Sequence, residues 1–485
     1  MWRMGDKSMK EKTALLPAAL MLLGLLCALS ACTGSGPGAS ATPDNSVVIS
    51  TVNAYAIVWG YEWGPAVPKV VLEFDGDVTG FADDTFTVKF GPTTRTVKRA
   101  YNSDENGNES NSATRYLTIE MTTKYNEASP FAYVDSVNIW ADSIDFKVTV
   151  SEGKSFQAGG TTYSGGDNCS CSVTAEGRKV PQTAGWVRDT VHYQDEVKDI
   201  TLSRASWAPA GADSDSGKNP LIIWLHGVGE GGTDIDIDLL GNEVTALTTE
   251  NETNVQKYFA TGGLAGAYVL AVQNATMWMD DGTGNYNTEG TGKQESWYTE
   301  ALWLAITSYV ESNPDIDTDR IYVGGCSNGG YMTMNLMFEH SGYFAAFYPI
   351  CEAYMNDRIS DEMIGSIKDN NIWFLLSADD TTVDPSACAF PTYVRLLNAG
   401  AENVWLTVTD HVRGTDDPNP SSWFGPAGTY MGHWSWIYAF NDQVTTRFDP
   451  AKVTSEDYLI PENCDVTGVN LWAWMAEQRL PGSAG

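Results

Sequence analysis

Basic residues and cysteines are scarce in this chain. Its 485 residues include 29 Lys and Arg against 62 Asp and Glu, which gives a formal net charge of −33. A surface this acidic repels nucleic acid and other polyanions, so we expect neither as a partner. The eight cysteines lack the paired spacing of zinc sites, and the CSC segment at 169–171 has no second ligand pair. We therefore expect no bound metal.

The first 31 residues are typical of an export signal. Basic residues precede an uncharged apolar run from Thr13 to Ala31, long enough on its own to span a membrane. However, Leu29-Ser30-Ala31-Cys32 resembles the lipobox of bacterial lipoproteins, in which the cysteine is acylated and the preceding residues are removed. This implies lipidation at Cys32, a Gly/Ser/Pro tether over 32–44, and an exported protein that contacts the bacterial cell envelope only through its anchor. A plain secretory signal is the alternative.

Residues 45–185 are predicted to form an all-β domain. Short alternating segments rich in Val, Thr, Tyr and Phe, such as VPKVVLEFDG and IDFKVTV, are separated by turn clusters such as SDENGNESN. Six or more strands without a convincing helix indicate an antiparallel, immunoglobulin-like sandwich.

Residues 186–485 show a different pattern. Compact apolar runs such as NPLIIWLHG and NIWFLLSADD are typical of strands buried on both faces of a sheet. Helical patterns lie between several of them. One helix is predicted from apolar residues that share a face: Leu302, Ala305, Ile306, Tyr309 and Val310. Strands that alternate with helices predict a parallel, doubly wound α/β sheet.

A serine between glycines marks the candidate nucleophile. The segment Gly325-Cys326-Ser327-Asn328-Gly329 fits G-x-S-x-G, with the strand-like RIYVG before it and the helix-compatible GGYMTMNLMFEHS after it. This is the context of a nucleophile elbow, where Cβ atoms at the flanking positions would clash. Ser327 would lie at the first turn of the helix, whose free N–H groups favour negative charge. The backbone N–H of Asn328 is therefore a predicted oxyanion donor.

Ser327 needs a base, because a serine hydroxyl is barely ionised at neutral pH. The chain has five histidines. Three have other predicted locations, at the domain junction, in the LHGVGEGG segment and at the end of the helix that follows the serine: His192, His226 and His340. Of the remaining two, His433 is favoured, because a long loop beyond the last predicted strand can reach the serine over the sheet edge. His411 is the alternative.

The acid and the second oxyanion donor are predicted at the ends of two other strands. FLLSADDTTVDP ends in acids, of which Asp380 is our first choice and Asp379 the second. Neighbouring side chains alternate on a strand, so only one of these can face His433. In LIIWLHGVGEGG, a strand end followed by glycines can offer a backbone N–H to the oxyanion, with Val228 as the predicted donor and Gly229 next.

Four segments resemble the polyhydroxybutyrate depolymerase/feruloyl esterase branch of the α/β-hydrolases, especially esterases with an immunoglobulin-like N-terminal domain. They are LHGVGEGG, DTDRIYVGGCSNGGYMTM, SADDTTVDP and GHWSW, within about residues 200–445. The resemblance implies Ser327 as the nucleophile, Asp380 as the acid and His433 as the base. It implies a carboxylic ester hydrolase that acts through an acyl-enzyme and requires no cofactor.

Four tryptophans lie in or near the loops of the predicted site: Trp278, Trp297, Trp434 and Trp436. The first three are candidates for substrate binding, and a place in the core is the alternative for Trp278 and Trp297. An exported esterase with such residues suggests acetyl or feruloyl esters of plant polysaccharides as substrates. Two alternatives belong to other classes. One is a prolyl-oligopeptidase-like serine peptidase, although such enzymes generally add a propeller domain. The other is a non-catalytic surface lipoprotein in which the sandwich binds a ligand.

Overall fold

The computed structural model describes residues 46–125, 127–249, 255–288, 292–416, 426–452 and 465–480. The predicted signal, the predicted lipidation site Cys32 and the predicted tether lie outside the described residues. Within these ranges, no helix combines the length and the apolar character that a bilayer crossing requires.

The N-terminal region is an immunoglobulin-like sandwich, as predicted. Its strands are β1 Asn53–Tyr61, β2 Gly64–Glu73, β3 Val78–Thr79, β4 Phe86–Phe90, β5 Thr93–Arg95, β6 Val97–Ser103, β7 Tyr116–Met121, β8 Phe131–Val134, β9 Val137–Trp140, β10 Ile144–Val150, β11 Ser155–Ala158, β12 Thr161–Ser164, β13 Asn168–Val173 and β14 Arg178–Lys179. They form sheets in the orders β14-β1-β2-β7-β6, β13-β10-β4-β5 and β12-β11-β3, plus the hairpin β8-β9. Alternate side chains of the two larger sheets, such as Val70 and Val148, are fully buried in one shared core.

The C-terminal region is built on one eight-stranded sheet in the order β15-β16-β18-β17-β19-β20-β21-β22. The strands are β15 Val187–Gln194, β16 Asp199–Trp207, β17 Asn219–Leu225, β18 Tyr268–Gln273, β19 Ile316–Cys326, β20 Ala346–Ile350, β21 Ile372–Ser377 and β22 Val404–Thr409, with a separate pair β23 Thr446–Arg447 and β24 Val466–Thr467. From β18 to β22 all neighbours are parallel, and β15 and β16 add an antiparallel edge.

Helices cover both faces of this sheet. They are α1 Ile235–Gly241, α2 Thr299–Ser312, α3 Asn328–His340, α4 Asp361–Ile367, α5 Ala389–Asn398, α6 Trp436–Phe440 and α7 Leu471–Glu477. The side chains of β17 show the division: Leu221 and Ile223 pack with α2, α3 and α5, whereas Ile222 and Trp224 pack with α1, α6 and α7. A strand buried on both faces requires apolar residues at successive positions, which is why the sequence lacks alternation here. The doubly wound sheet is confirmed.

Helix α2 shows how the local pattern specifies the packing. The five residues predicted to share a face are all buried against the sheet: Leu302, Ala305, Ile306, Tyr309 and Val310. Glu300 and Glu311 lie outside this face and are exposed. The helix therefore follows the 3.6-residue period that predicted it.

The sandwich packs directly on the α/β region through helix α1. Leu240 of this helix is fully buried within the core of the sandwich. Nearby, Nε1 of Trp140 donates a 2.8 Å hydrogen bond to the carboxylate of Asp234, the N-cap residue of α1. The two regions consequently share an interface, and this interface continues to the edge of the sheet that carries the candidate site.

Candidate active site

The candidate nucleophile Ser327 lies in a sharp turn between β19 and α3. Its backbone has φ 56° and ψ −113°, a left-handed conformation that costs a non-glycine residue about 1–3 kcal/mol. Glycines allow the turn, because a Cβ on Gly325 would lie 2.8 Å from the Leu225 side chain and a Cβ on Gly329 would overlap the Leu225 carbonyl. The Ser327 N–H donates to the Ile350 carbonyl at 2.9 Å, which fixes the turn against β20. The geometry is that of a nucleophile elbow.

Asp380 and His433 are brought together at the same edge of the sheet. Asp380 follows β21, and its Oδ2 lies 2.7 Å from Nδ1 of His433, with both residues buried. The other carboxylate oxygen accepts the N–H groups of Thr382 and Val383. The hydrogen bond assigns the Nδ1 proton, so the lone pair of a neutral His433, which a base needs, is on Nε2.

Two neighbours control the protonation of His433. Burial favours the neutral imidazole, but the adjacent Cys351 sulfur and the Asp380 carboxylate together outweigh it and raise the pKa of His433 above its ordinary value. Ser327 is linked to the residue before Cys351, because its N–H donates to the carbonyl of Ile350. Among the described residues, no hydrogen bond joins the Ser327 hydroxyl to His433. Catalytic hydrogen bonds are often long before a substrate binds.

The alternative acid and base form a second, separate pair. Nδ1 of His411 lies 2.6 Å from Oδ2 of Asp379, and Ser377 donates to the other Asp379 oxygen at 2.6 Å. The adjacent aspartates follow the end of β21 and face different histidines, so only one of them contacts His433, as predicted. This pair is partly exposed, whereas the Asp380–His433 pair is buried beside Cys351. The arrangement favours Asp380 and His433 as the pair that serves Ser327.

Each predicted oxyanion donor is the first residue of a helix. Val228 begins a short 3-10 helix after β17, and Asn328 is the first residue of α3. Within the described residues, neither backbone N–H has a hydrogen-bond acceptor. First-turn N–H groups have no intrahelical partner and can bind an anion. The side chain of Asn328 is engaged elsewhere, because its Oδ1 accepts the Met279 N–H at 3.2 Å.

His226 holds the Val228 loop in place. Burial lowers the pKa of His226 to about 4, so the ring is neutral near pH 7. Its Nε2 accepts the Asn274 N–H at 3.3 Å, and its Nδ1 accordingly donates to the Gly227 carbonyl at 2.5 Å. These two bonds tie the residue before Val228 to the loop that follows β18. The sequence prediction that His226 is not the base agrees with this position.

The three candidate substrate tryptophans have different surroundings. Trp278 is 0% exposed and packs against His226 and Tyr298, so the predicted substrate contact is wrong for this residue. Its location in a loop suggested exposure, but the loop folds back into the core. Trp297 lies beneath the ammonium of Lys198, 5.2 Å from the ring centroid. Trp434 directly follows His433 and joins an aromatic cluster at the sandwich interface.

Two titratable residues near the site were missed in the sequence. Glu230 lies within the glycine segment after β17, where burial raises its pKa to about 7, and Nδ2 of Asn138 donates to it at 3.1 Å. An acid between glycines was the available signal. Cys351 has φ 37° at the end of β20, a strained strand-end position like that of Ser327. Cys351, Asp380 and His433 offer atoms within 4.8 Å of one another that could hold a metal ion. A metal on all three would compete with the proton that Asp380 and His433 share.

The sandwich hairpin β8-β9 borders the oxyanion loop. The Asn138 bond to Glu230 joins β9 to this loop, and a Cβ on Gly229 would contact the rings and amides of the hairpin. Large apolar side chains are exposed at the hairpin, including Tyr133 at 62%. Tyr286, from the loop after β18, is also exposed. An apolar surface thus flanks the candidate site.

Comparisons with known proteins match both regions of the chain. Residues 53–164 match the esterase immunoglobulin-like N-terminal domain, and residues 285–362, which include Ser327, match the prolyl oligopeptidase family. Comparison with curated protein sequences gives no match. The fold and these matches define an α/β-hydrolase of the serine-hydrolase type with an N-terminal immunoglobulin-like domain, as the sequence resemblance implied.

Three solved structures illustrate the likeness. A thermostable esterase shares 22% identity at a TM-score of 0.58, over 81% of this chain and 97% of its own. A ferulic acid esterase shares 17% identity at a TM-score of 0.34, over 52% of this chain and 93% of its own. An acylaminoacyl peptidase from Pyrococcus horikoshii shares 12% identity at a TM-score of 0.33, over 56% of this chain and 43% of its own. Of the three, the thermostable esterase alone exceeds a TM-score of 0.5, and its likeness shows the two-region fold.

Proposed function

We propose that this protein is a serine carboxylesterase that uses Ser327, Asp380 and His433. The observation that carries the proposal is the buried 2.7 Å contact between Asp380 and His433, at the sheet edge where Ser327 occupies a strained elbow. A carboxylate fixed on Nδ1 of an imidazole stabilises the charged ring that forms when a serine is activated.

The proposed reaction has two stages. Oγ of Ser327 attacks the ester carbonyl carbon while Nε2 of His433 takes the hydroxyl proton; the C–O bond to the alcohol then breaks, and the alcohol leaves with that proton. Water next attacks the acyl-enzyme, gives its proton to His433, and the acid leaves as the proton returns to Ser327. In both stages the N–H groups of Val228 and Asn328 stabilise the negative carbonyl oxygen.

For the substrate, we propose esters with an aromatic or short apolar acyl group, such as feruloyl or acetyl esters of plant polysaccharides. Exposed apolar side chains of the hairpin that borders the oxyanion loop, Tyr133 among them, support a substrate with apolar surface. Trp434 remains a candidate contact because it adjoins His433, whereas Trp297 adjoins no residue of the proposed triad in the described contacts. Release of ferulate or acetate from xylan, measured by chromatography, would support this substrate class.

A serine peptidase is the second candidate, because residues 285–362 match the prolyl oligopeptidase family. That segment contains the elbow, which peptidases and esterases of this fold share. The N-terminal region instead matches a domain found in esterases, which favours ester hydrolysis. The remaining alternative, a non-catalytic surface lipoprotein, requires that the buried acid–base pair beside the elbow serve no reaction.

One experiment separates these candidates. Hydrolysis of p-nitrophenyl acetate is compared with hydrolysis of peptide p-nitroanilides, for the wild type and Ser327→Ala. The proposal expects rapid ester cleavage, little anilide cleavage, and loss of several orders of magnitude with the variant. Labelling by a fluorophosphonate should depend on Ser327. Faster anilide cleavage would favour the peptidase, and absence of labelling would favour the binding protein.

The location at the cell envelope is likewise proposed from the N-terminal sequence. Acylation at Cys32 would anchor an exported enzyme next to extracellular polymers, with no other membrane contact and no nucleic-acid partner. Cys32→Ala should move the protein from the membrane fraction to the soluble fraction. Equal distribution of the two proteins would favour a plain secretory signal.

A further inference from the structure

Glu62 is a buried carboxylate of the sandwich whose partners all belong to the α/β region. It lies in the turn between β1 and β2, and the residue is 2% exposed. A buried carboxylate without hydrogen bonds is costly, so its partners show what it holds. Among the described ion pairs, none pairs Glu62 with a lysine, arginine or histidine. Its partners among the described residues are neutral hydrogen-bond donors.

The donors come from both sides of the segment 417–425, which lies outside the described residues. Before it, the Thr415 N–H donates to Oε2 at 2.8 Å and the Asp416 N–H to Oε1 at 2.9 Å. The Thr415 hydroxyl donates to Oε2 at 3.1 Å. After it, the Tyr430 hydroxyl donates to Oε1 at 2.7 Å, and Nδ2 of Asn441 donates to Oε2.

These donors bracket His433. Tyr430 precedes the histidine by three residues, and Asn441 follows the end of helix α6. Burial and the charge of Glu62 raise the pKa of Tyr430, so its phenol keeps the proton that it donates. One carboxylate therefore joins the start of the long connection after β22 to the two segments on either side of His433.

An aromatic cluster supports the same contact. Trp63, which follows Glu62, packs edge-on against Tyr125 with ring centroids 5.6 Å apart. Tyr125 in turn packs against Tyr430 at 5.6 Å and Trp434 at 6.3 Å. The sandwich thus contacts the residue after His433 and holds the loop from one side. A loop lacks the hydrogen-bond ladder of a sheet, so its position depends on contacts with other parts of the protein, such as these aromatic contacts with the sandwich.

We propose that Glu62 is a positioning residue. It holds residues 426–435, here called the His433 loop, so that the imidazole stays in line with Asp380 and Ser327. In the part of the chain that the structure describes, the hydrogen bonds of Glu62 go to Thr415, Asp416, Tyr430 and Asn441, and none goes to a residue of the proposed triad. The inference rests on the proposed function, because it assigns His433 the role of base. A displacement of about 1 Å in a catalytic group can reduce the rate by about 100-fold.

The test compares Glu62→Gln with Glu73→Gln in the full chain. Each oxygen of Glu62 accepts from at least two donors. In Glu62→Gln an NH₂ group replaces one of these oxygens, so at least two donors would face another donor and lose their hydrogen bonds. Glu73 is a matched control, because it is also a buried glutamate of the sandwich and its described side-chain partners belong to the sandwich: Asn53, Tyr55, Arg115 and Tyr116. Active sites are titrated with a fluorophosphonate, so that kcat refers to folded enzyme only.

We expect Glu62→Gln to lower kcat per titrated site on p-nitrophenyl acetate by about 10- to 100-fold, with KM little changed. The acid limb of its pH profile should move to lower pH as the contact between His433 and Asp380 loosens. Glu73→Gln should keep the wild-type kcat per site. Wild-type kcat in Glu62→Gln, or an equal loss in Glu73→Gln, would overturn the proposal. If Glu62→Gln does not fold, Tyr430→Phe decides: a smaller loss of kcat supports the proposal, and an unchanged kcat overturns it.

Hydrogen exchange separates this proposal from the proposed function. Peptides covering 426–440 should exchange faster in Glu62→Gln than in the wild type, and Glu73→Gln should leave them unchanged. A wild type without Ser327-dependent hydrolysis would end the esterase proposal, even if this exchange result held. Faster exchange with an unchanged kcat would show a loop held for a purpose other than catalysis, and unchanged exchange would show that Glu62 does not hold it.

Discussion

The carboxylate of Asp380 accepts a 2.7 Å hydrogen bond from Nδ1 of His433, 53 positions later in the chain. The residue before it, Asp379, makes an equivalent 2.6 Å contact with His411. Two acid–base pairs therefore lie side by side at the carboxyl end of the sheet. Their burial differs, and each aspartate contacts a different histidine, so substitution of one aspartate tests one pair.

Asp380→Asn is expected to lower kcat by about 10⁴-fold, because an asparagine no longer favours the imidazole tautomer with a free Nε2. Ester hydrolysis per titrated active site measures the effect. Asp379→Asn is the matched control and should leave kcat close to the wild-type value. A larger loss in Asp379→Asn would transfer the role of base to His411.

The pH dependence of kcat/KM should reflect the raised pKa of His433. A base acts in its neutral form, so activity should increase as the pH rises through that pKa and be lost at lower pH. Removing the carboxylate in Asp380→Asn takes away one of the two groups that raise the pKa, and the residual activity should have its acid limb at lower pH. An acid limb that stays in place would mean that Asp380 does not act on the titrating group.

Glu230→Gln should stabilise the protein at alkaline pH. Burial raises the pKa of Glu230 from 4.5 to about 7, so the folded state loses stability as the pH rises through this interval and the carboxyl ionises. At pH 8 the penalty is roughly 3 kcal/mol, and a neutral amide avoids it. Asn138, Asn242 and the charge of His433 favour the ionised carboxyl and offset only part of the effect of burial, and Glu230 in turn raises the pKa of the buried Asp238.

Urea unfolding at pH 5 and pH 8 measures this effect. The free energy of unfolding of Glu230→Gln should exceed that of the wild type at pH 8, and the difference should shrink at pH 5. A difference that is the same at both pH values would show that ionisation of Glu230 is not its cause.

Trp278→Ala should act on stability and not on substrate binding. A fully buried tryptophan replaced by alanine costs about 3–5 kcal/mol, because a cavity remains where the indole packs on His226 and Tyr298. Chemical denaturation should show this loss, with KM of the folded fraction little changed. An increased KM at wild-type stability would restore Trp278 as a substrate contact.

Local patterns were sufficient for much of the fold. Continuous apolar runs such as that of β17 predicted strands buried on both faces, and the five-residue face of α2 predicted its packing. The glycines around Ser327 predicted a turn, which the structure has between β19 and α3. These features depend on residues within one or two turns of each other, where side-chain size and period act directly on the backbone.

Burial in loops could not be predicted in the same way. Trp278 and Glu230 both follow strands in polar, glycine-containing segments, where exposure is the usual expectation. Each is buried because another segment lies over it: Tyr298 over the indole and Asn138 of the sandwich beside the carboxyl. The covering residues lie far away in the chain or in a different loop, so local patterns do not predict the burial.

The sequence by itself determined the two regions, their strand types and a short set of candidates, since periodicity and turn chemistry are local. Only the tertiary structure decided which aspartate meets which histidine, and that Glu62 meets a loop more than 350 positions away. Such contacts arise when two independently patterned regions pack together. Their specificity lies in the shape and hydrogen-bonding groups of the joined surfaces, which no single stretch of sequence encodes.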